Sequence, residues 1–264
     1  MTRPGRFLPV DADGYLLNDT SLDRLPSGWG AVVDAIVAEA TAEHGERLHS
    51  VWVRGSAVSG QAVPDVSDLD TILLVDEPVT DGSLWLSTAW APAAEARLSA
   101  PGCTGVEVAV ASLPALWTDR GAFLRFLLAT QAARASGPPL DLPRFAVGPD
   151  VCFVAGHVRG ALREAAAELP GQTDPDEIRS LTRWLAKTVV RAGLELVLAD
   201  EGRYARDLWP CYLAFARHVP GRADAMARAV DAAVSPDVDG RDLAFLLEDL
   251  GPWLLGRLEG AGLA

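Results

Sequence analysis

Apolar residues recur at helical spacing over residues 29–46, where Val32, Ile36, Val37 and Ala40 fall on one face, and this predicts an amphipathic helix. Three short runs rich in Val, Ile and Leu, over 48–53, 68–75 and 105–111, predict strands. Strands and helices therefore alternate in the first half. Beyond residue 143 the pattern is helical almost throughout, with segments near 151–169, 176–199, 208–218, 222–234 and 241–257, the last kinked at Pro252. A Pro-rich stretch over 135–143 marks the change of texture and predicts two domains, 1–143 and 144–264. The first stretch of chain, to about residue 25, carries no clear signal.

Composition agrees with a folded chain: of 264 residues 49% are hydrophobic and 22% charged. The 36 acidic and 23 basic residues give a net charge of -13, which repels a phosphate backbone and weighs against a nucleic-acid partner. The basic residues are arginines with a single exception, Lys187. Cys103, Cys152 and Cys211 are odd in number and far apart, with no CxxC pair, so they read as small buried hydrophobes in a reducing compartment. No apolar leader or run of about 18 uncharged apolar residues is visible, and the expected location is the cytoplasm, away from membranes.

Candidate chemistry is concentrated in residues 51–75. An apolar strand runs into Gly55-Ser56, a linking stretch ends in Ser67, and a second strand opens with Asp68-Leu69-Asp70. Strand alternation places Asp68 and Asp70 on one side of the sheet and Leu69 on the other. Two adjacent carboxylates repel each other unless a cation lies between them, and a hard divalent ion such as Mg²⁺ takes carboxylate and phosphate oxygens together. Gly55 permits close approach of backbone to a phosphate, and Ser56 adds amide and hydroxyl donors. Asp-x-Asp alone is common and is more often a solvated strand end than a metal site. The combination resembles the signature of the DNA polymerase β-like nucleotidyltransferase superfamily, an apolar residue, Gly-Ser, a spacer, then Asp-apolar-Asp-apolar. Thr71 departs from that pattern, standing where an apolar residue is usual.

The resemblance, closest to the aminoglycoside adenylyltransferase branch, implies an α/β (α+β) nucleotidyltransferase domain with a small mixed sheet, followed by an all-α helical bundle, with ATP and two Mg²⁺ ions between them. It also implies a third carboxylate. Glu107 is the one charged residue of 105–111, with Val106, Val108 and Val110 on the opposite face. A carboxylate in so apolar a strand is costly unless it meets metal or water; an edge strand with Glu107 solvated is the alternative. By resemblance Glu107 is either metal ligand or general base.

In the helical half Asp174 and Pro175 specify a helix start. From there Arg179, Arg183, Lys187 and Arg191 form one stripe, each advanced about 40° from the last. Ile178, Leu181, Leu185, Val189, Ala192 and Leu196 form the opposite, core-facing stripe. Like charges at i,i+4 cost about 0.2 to 0.5 kcal/mol per pair, which a bound anion relieves; a solvated face paired with acidic neighbours is the alternative. A lysine retained among arginines suggests a compact ammonium for phosphate. The resemblance assigns triphosphate contact to Lys187 first and to Arg183 or Arg191 second. Tyr204, Arg206 and Asp207 are placed at the cleft mouth on nucleotide or acceptor, with Asp207 as a plain helix cap the alternative. His44, His49, His157 and His218 lack metal-ligand spacing.

These readings together imply a Mg-dependent transfer of AMP from ATP to a hydroxyl of a small, cationic, aminoglycoside-like antibiotic, with release of pyrophosphate, by a monomer or weak dimer. A protein-adenylylating, antitoxin-type enzyme and a non-catalytic nucleotide-binding module are the alternatives.

Overall fold

The computed structural model describes residues 5–80, 82–169 and 174–264. The chain divides into two compact units. One comprises Pro9–Asp11 and Leu16–Phe145; the other comprises Ala12–Tyr15, Ala146–Ala264 and the N-terminal segment up to Leu8.

The first unit is built on a mixed four-stranded sheet of β1 (Leu48–Arg54), β2 (Leu69–Val75), β3 (Val106–Ser112) and β4 (Ala132–Ser136), in the order β3-β2-β1-β4. β1 runs antiparallel to β2 and to β4, whereas β2 and β3 are parallel. A parallel neighbour needs a crossover, and the chain between β2 and β3 carries a short helix, α3 (Trp90–Arg97). β-Strand alternation sorts the side chains between two cores. Val51, Val53, Leu69 and Leu73 face helix α1 (Trp29–His44), which contributes Trp29, Val33, Ile36 and Ala40. Trp52, Ile72, Leu74 and Ala111 face the other way, with Leu116 of α4 (Leu113–Leu116) and with Leu124 and Leu128 of α5 (Ala122–Gln131). α1 ends where the periodic pattern meets Gly45, at φ +58°, whose N–H bonds the Thr41 carbonyl.

β3 lies at the edge of the sheet, yet its outer groups are engaged. The Leu86 N–H donates to Val110 (2.8 Å), Ser112 donates to Leu84 (2.9 Å), and the Glu95 carboxylate accepts the Val108 N–H at 2.7 Å. An edge closed in this way resists further strand pairing. β4 and α5 are additions to the pattern read from the sequence. Ala132–Ser136 has no β-branched or aromatic residue, and only its register opposite Val51–Arg54 makes it a strand.

The second unit is helical: α6 (Val158–Glu168), α7 (Pro175–Leu196), a turn α8 (Leu198–Glu201), α9 (Leu208–His218), α10 (Ala223–Val234), α11 (Arg241–Phe245) and α12 (Gly251–Gly260). α7 is the central element, contacting α6, α9, α10, α11 and α12. Asp174 caps it, its carboxylate accepting the Asp176 N–H at 2.9 Å, with Pro175 in the first turn. Gly193 lets α10 close in, since a β-carbon there would stand 2.6 Å from Met226 Cε and 3.2 Å from Phe215 Cδ2. The helix expected over 241–257 is interrupted by a π-turn over Leu246–Leu250. The widened turn precedes Gly251 and Pro252, where proline supplies no N–H to the ladder. The Glu201 carboxylate gathers Arg203, Arg217 (2.5 Å) and His218 (3.1 Å), tying α8 to α9. The segment without a sequence signal is held here too: the Leu8 N–H donates to the Tyr204 carbonyl at 2.8 Å. Among the described residues no helix is long and apolar enough to cross a membrane.

Candidate active site

Strand register assembles the acidic residues. The antiparallel β1–β2 pairing sets Arg54 opposite Asp70, and the parallel β2–β3 pairing sets Asp70 opposite Glu107. Three neighbouring strands thus present Arg54, Asp70 and Glu107 in a row at one end of the sheet, on the side of Trp52 and Ile72. Asp68, two residues before Asp70, joins them: one carboxylate oxygen from each of Asp68, Asp70 and Glu107 lies within 4.8 Å of the others. Asp68 and Asp70 are half-buried and Glu107 is exposed, with 61% of its side chain accessible.

The loop between β1 and β2 has a strict requirement at Gly55. Its φ is +80°, and a β-carbon there would stand 2.7 Å from Asp70 Oδ2, so any side chain would displace the carboxylate. The one-turn helix α2 (Ser56–Ser59) follows at once. Thr71, the departure from the expected pattern, has a local use: its hydroxyl is buried on the opposite face and donates to the Glu107 carbonyl at 2.8 Å, fixing the strand that carries Glu107. The alternation read for β3 holds, with Val106, Val108 and Val110 buried opposite Glu107. The burial cost expected for Glu107 does not arise, because β3 is an edge strand and the carboxylate reaches water.

Arg54 is the residue that motif reasoning passed over. Its Nη2 lies 2.9 Å from Asp70 Oδ1 and 3.9 Å from Glu107 Oε2. Its signal in the sequence was a lone charge ending an apolar strand immediately ahead of Gly55-Ser56.

Three carboxylate oxygens converging to this degree fit a single hard divalent cation, which bonds oxygen and tolerates mixed carboxylate, water and phosphate ligands. Asp68 and Asp70 are the less exposed pair of the three.

The basic stripe lies on α7 of the second unit. Arg179 is paired with Asp176 in the first turn, Arg183 is exposed, and Lys187 and Arg191 are half-buried. The Arg191 Nε donates to the Arg206 carbonyl at 3.1 Å. On the opposite side Leu185, Val189 and Ala192 are fully buried, while Ile178, Leu181 and Leu196 are partly so. Tyr204 requires correction: it is 1% exposed, its ring enclosed in the helical core, and burial raises its hydroxyl pKa, so it is not a surface contact for nucleotide. Asp207 stands at the head of α9 but its carboxylate does not cap it; it accepts the Arg6 N–H at 2.9 Å.

α7 also carries a carboxylate that the sequence did not single out. Glu195 is 2% exposed, and its two oxygens accept the N–H groups of Val154 (3.2 Å) and Ala155 (2.6 Å). Burial pushes its pKa up to about 7 against the pull of those two donors and of Arg206 and Arg191. Burial likewise raises the Cys152 and Cys211 thiols to about 12, which leaves them inert as nucleophiles.

No family model matches the sequence, and no curated protein matches it either. Among solved structures the chain is similar to a spectinomycin adenyltransferase, AAD(9), from Enterococcus faecialis, solved with ATP and spectinomycin. The two are 14% identical and superpose with a TM-score of 0.54 over 86% of this chain and 98% of that one. At such identity the likeness is one of fold. The fold expected from Gly55-Ser56 and Asp68-Leu69-Asp70, a small mixed sheet with a helical unit after it, is the fold the chain has, and it is shared with a spectinomycin adenyltransferase.

Proposed function

We propose that this protein transfers AMP from ATP to a hydroxyl of a small cationic molecule and releases pyrophosphate. The observation that carries the reading is the convergence of Asp68, Asp70 and Glu107 at one end of the sheet, with Gly55 packed directly beside the Asp70 carboxylate. The shared fold supports it, since the similar structure was solved with ATP and spectinomycin.

Asp68 and Asp70 would hold a divalent ion, Mg²⁺ or its like, which when bound would neutralise phosphate charge and polarise the α-phosphate. Gly55 lets the backbone pass close beside Asp70 without displacing its carboxylate. Ser56 donates to that phosphate. Glu107, at the solvent edge, accepts the proton of the acceptor hydroxyl as its oxygen attacks the α-phosphorus; the bond from that phosphorus to the bridging oxygen breaks and pyrophosphate leaves. Lys187, with Arg183 and Arg191, carries positive charge for the triphosphate. The net charge of -13 favours a cationic acceptor over an anionic one.

Incubation with α-labelled ATP, Mg²⁺ and a panel of aminoglycosides, spectinomycin, nucleosides and cell lysate tests this. Label is expected in a hydroxylated small molecule. Label in a protein band points instead to protein adenylylation, and no transfer to anything overturns the catalytic reading. For the stripe, Lys187→Ala is expected to weaken ATP binding on the order of tenfold by calorimetry. Unchanged affinity returns these residues to a solvated face.

A further inference from the structure

The acidic cluster carries a cation of its own. Arg54 closes β1, and because Arg54 is the register partner of Asp70, itself the partner of Glu107, the guanidinium is delivered to those two carboxylates by the sheet rather than by a flexible loop. Nη2 stands 2.9 Å from Asp70 Oδ1 and 3.9 Å from Glu107 Oε2. The Arg54 side chain is 32% exposed and that of Asp70 13%, so this pair is screened less than an ordinary surface pair.

Two consequences follow for metal binding. One of the two Asp70 oxygens is engaged by Arg54, so Asp70 is poorly placed to bridge a pair of ions. A fixed positive charge 2.9 Å from one acidic group and 3.9 Å from the other also repels a cation entering between Asp70 and Glu107. Against three carboxylates, Arg54 leaves two net negative charges, which one divalent ion neutralises.

We propose that Arg54 replaces one of the two cations expected at this cluster, so that the site takes a single divalent ion, on the Asp68 side of Asp70. This rests on the metal-dependent transfer proposed above. It departs from the two-ion expectation that the sequence resemblance implied.

The test is a Mn²⁺ titration of the nucleotide-free protein, with free Mn²⁺ read by electron paramagnetic resonance. Wild type is expected to bind one equivalent, and Asp68→Asn to lose it. Arg54→Met, which keeps the apolar stem without the charge, is expected to gain a second equivalent or to bind the first on the order of tenfold more tightly. Arg54→Lys should restore the wild-type count. Circular dichroism checks that the variants fold, and Arg54→Gln is read if Arg54→Met does not. Two equivalent ions in wild type overturn the inference. So does an Arg54→Met titration that matches wild type while Asp68→Asn loses the ion. If wild type binds no Mn²⁺ that Asp68→Asn removes, the metal-dependent reading itself falls and this inference with it, so the two failures are told apart.

Discussion

Asp70→Asn is expected to lower AMP transfer on the order of a thousandfold while leaving the fold standing. Asn keeps the shape of Asp and one carbonyl oxygen, so Arg54 retains an acceptor and the β1–β2 register is unaffected. What is lost is a unit of negative charge from the cluster that Asp70 forms with Asp68 and Glu107. With no metal present those carboxylates repel one another, and removing a charge relieves that repulsion while weakening the ion pair with Arg54; the two effects oppose each other, and the melting temperature without metal should change little. In wild type a divalent ion that binds only the folded state raises the melting temperature, and that increment should vanish in the variant. Pyrophosphate release and thermal melts with and without Mg²⁺ decide the matter. Wild-type turnover in Asp70→Asn would remove Asp70 from the metal site.

The legible part of this site was the part written locally. Strand alternation put Asp68 and Asp70 on one face, and both the end of β1 at Gly55 and the start of β2 follow from short-range pattern. Glu107 was legible only as an odd charge in a valine strand. Its meeting with Asp70 depends on β3 pairing parallel to β2, a contact across 37 positions of sequence that no local period encodes. Arg54 was visible and unread, because its meaning comes from the same register. β4 was missed for the opposite reason, since its composition argues against a strand and its pairing with β1 overrides that preference. Tyr204 was misplaced because nothing local distinguishes it from its neighbours: Arg203 is exposed, while Tyr204 and Ala205 turn into the helical core.

The basic stripe of α7 holds a related lesson. A step of four residues advances about 40° around the helix, so a line of charges at that spacing drifts off its own face. Arg183 is exposed, Lys187 and Arg191 are half-buried, and the next member of the series, Glu195, is buried. The change of sign at that point has a reason. The Val154 and Ala155 amides face this position and need an acceptor, which a fifth cation would not supply.

Glu195 therefore makes the stability of wild type depend on pH. Its pKa is raised from 4.5 to about 7 by burial, so between those values the folded state holds a proton that the unfolded chain releases. The contribution is fully present below the unfolded value and is lost as pH rises through the folded one. A shift of this size corresponds to about 3 kcal/mol. Glu195→Gln keeps the shape and one acceptor but does not titrate. The stability of wild type relative to Glu195→Gln is expected to fall by about 3 kcal/mol between about pH 5 and about pH 8, read by urea unfolding of both proteins under far-UV circular dichroism. Parallel curves across that range would mean that the two amides and the nearby Arg191 and Arg206 hold the carboxylate ionised, and that burial is the weaker influence. The comparison thus measures which of two opposing effects wins at one buried side chain: the loss of water, which favours the acid, or the ring of donors, which favours its anion.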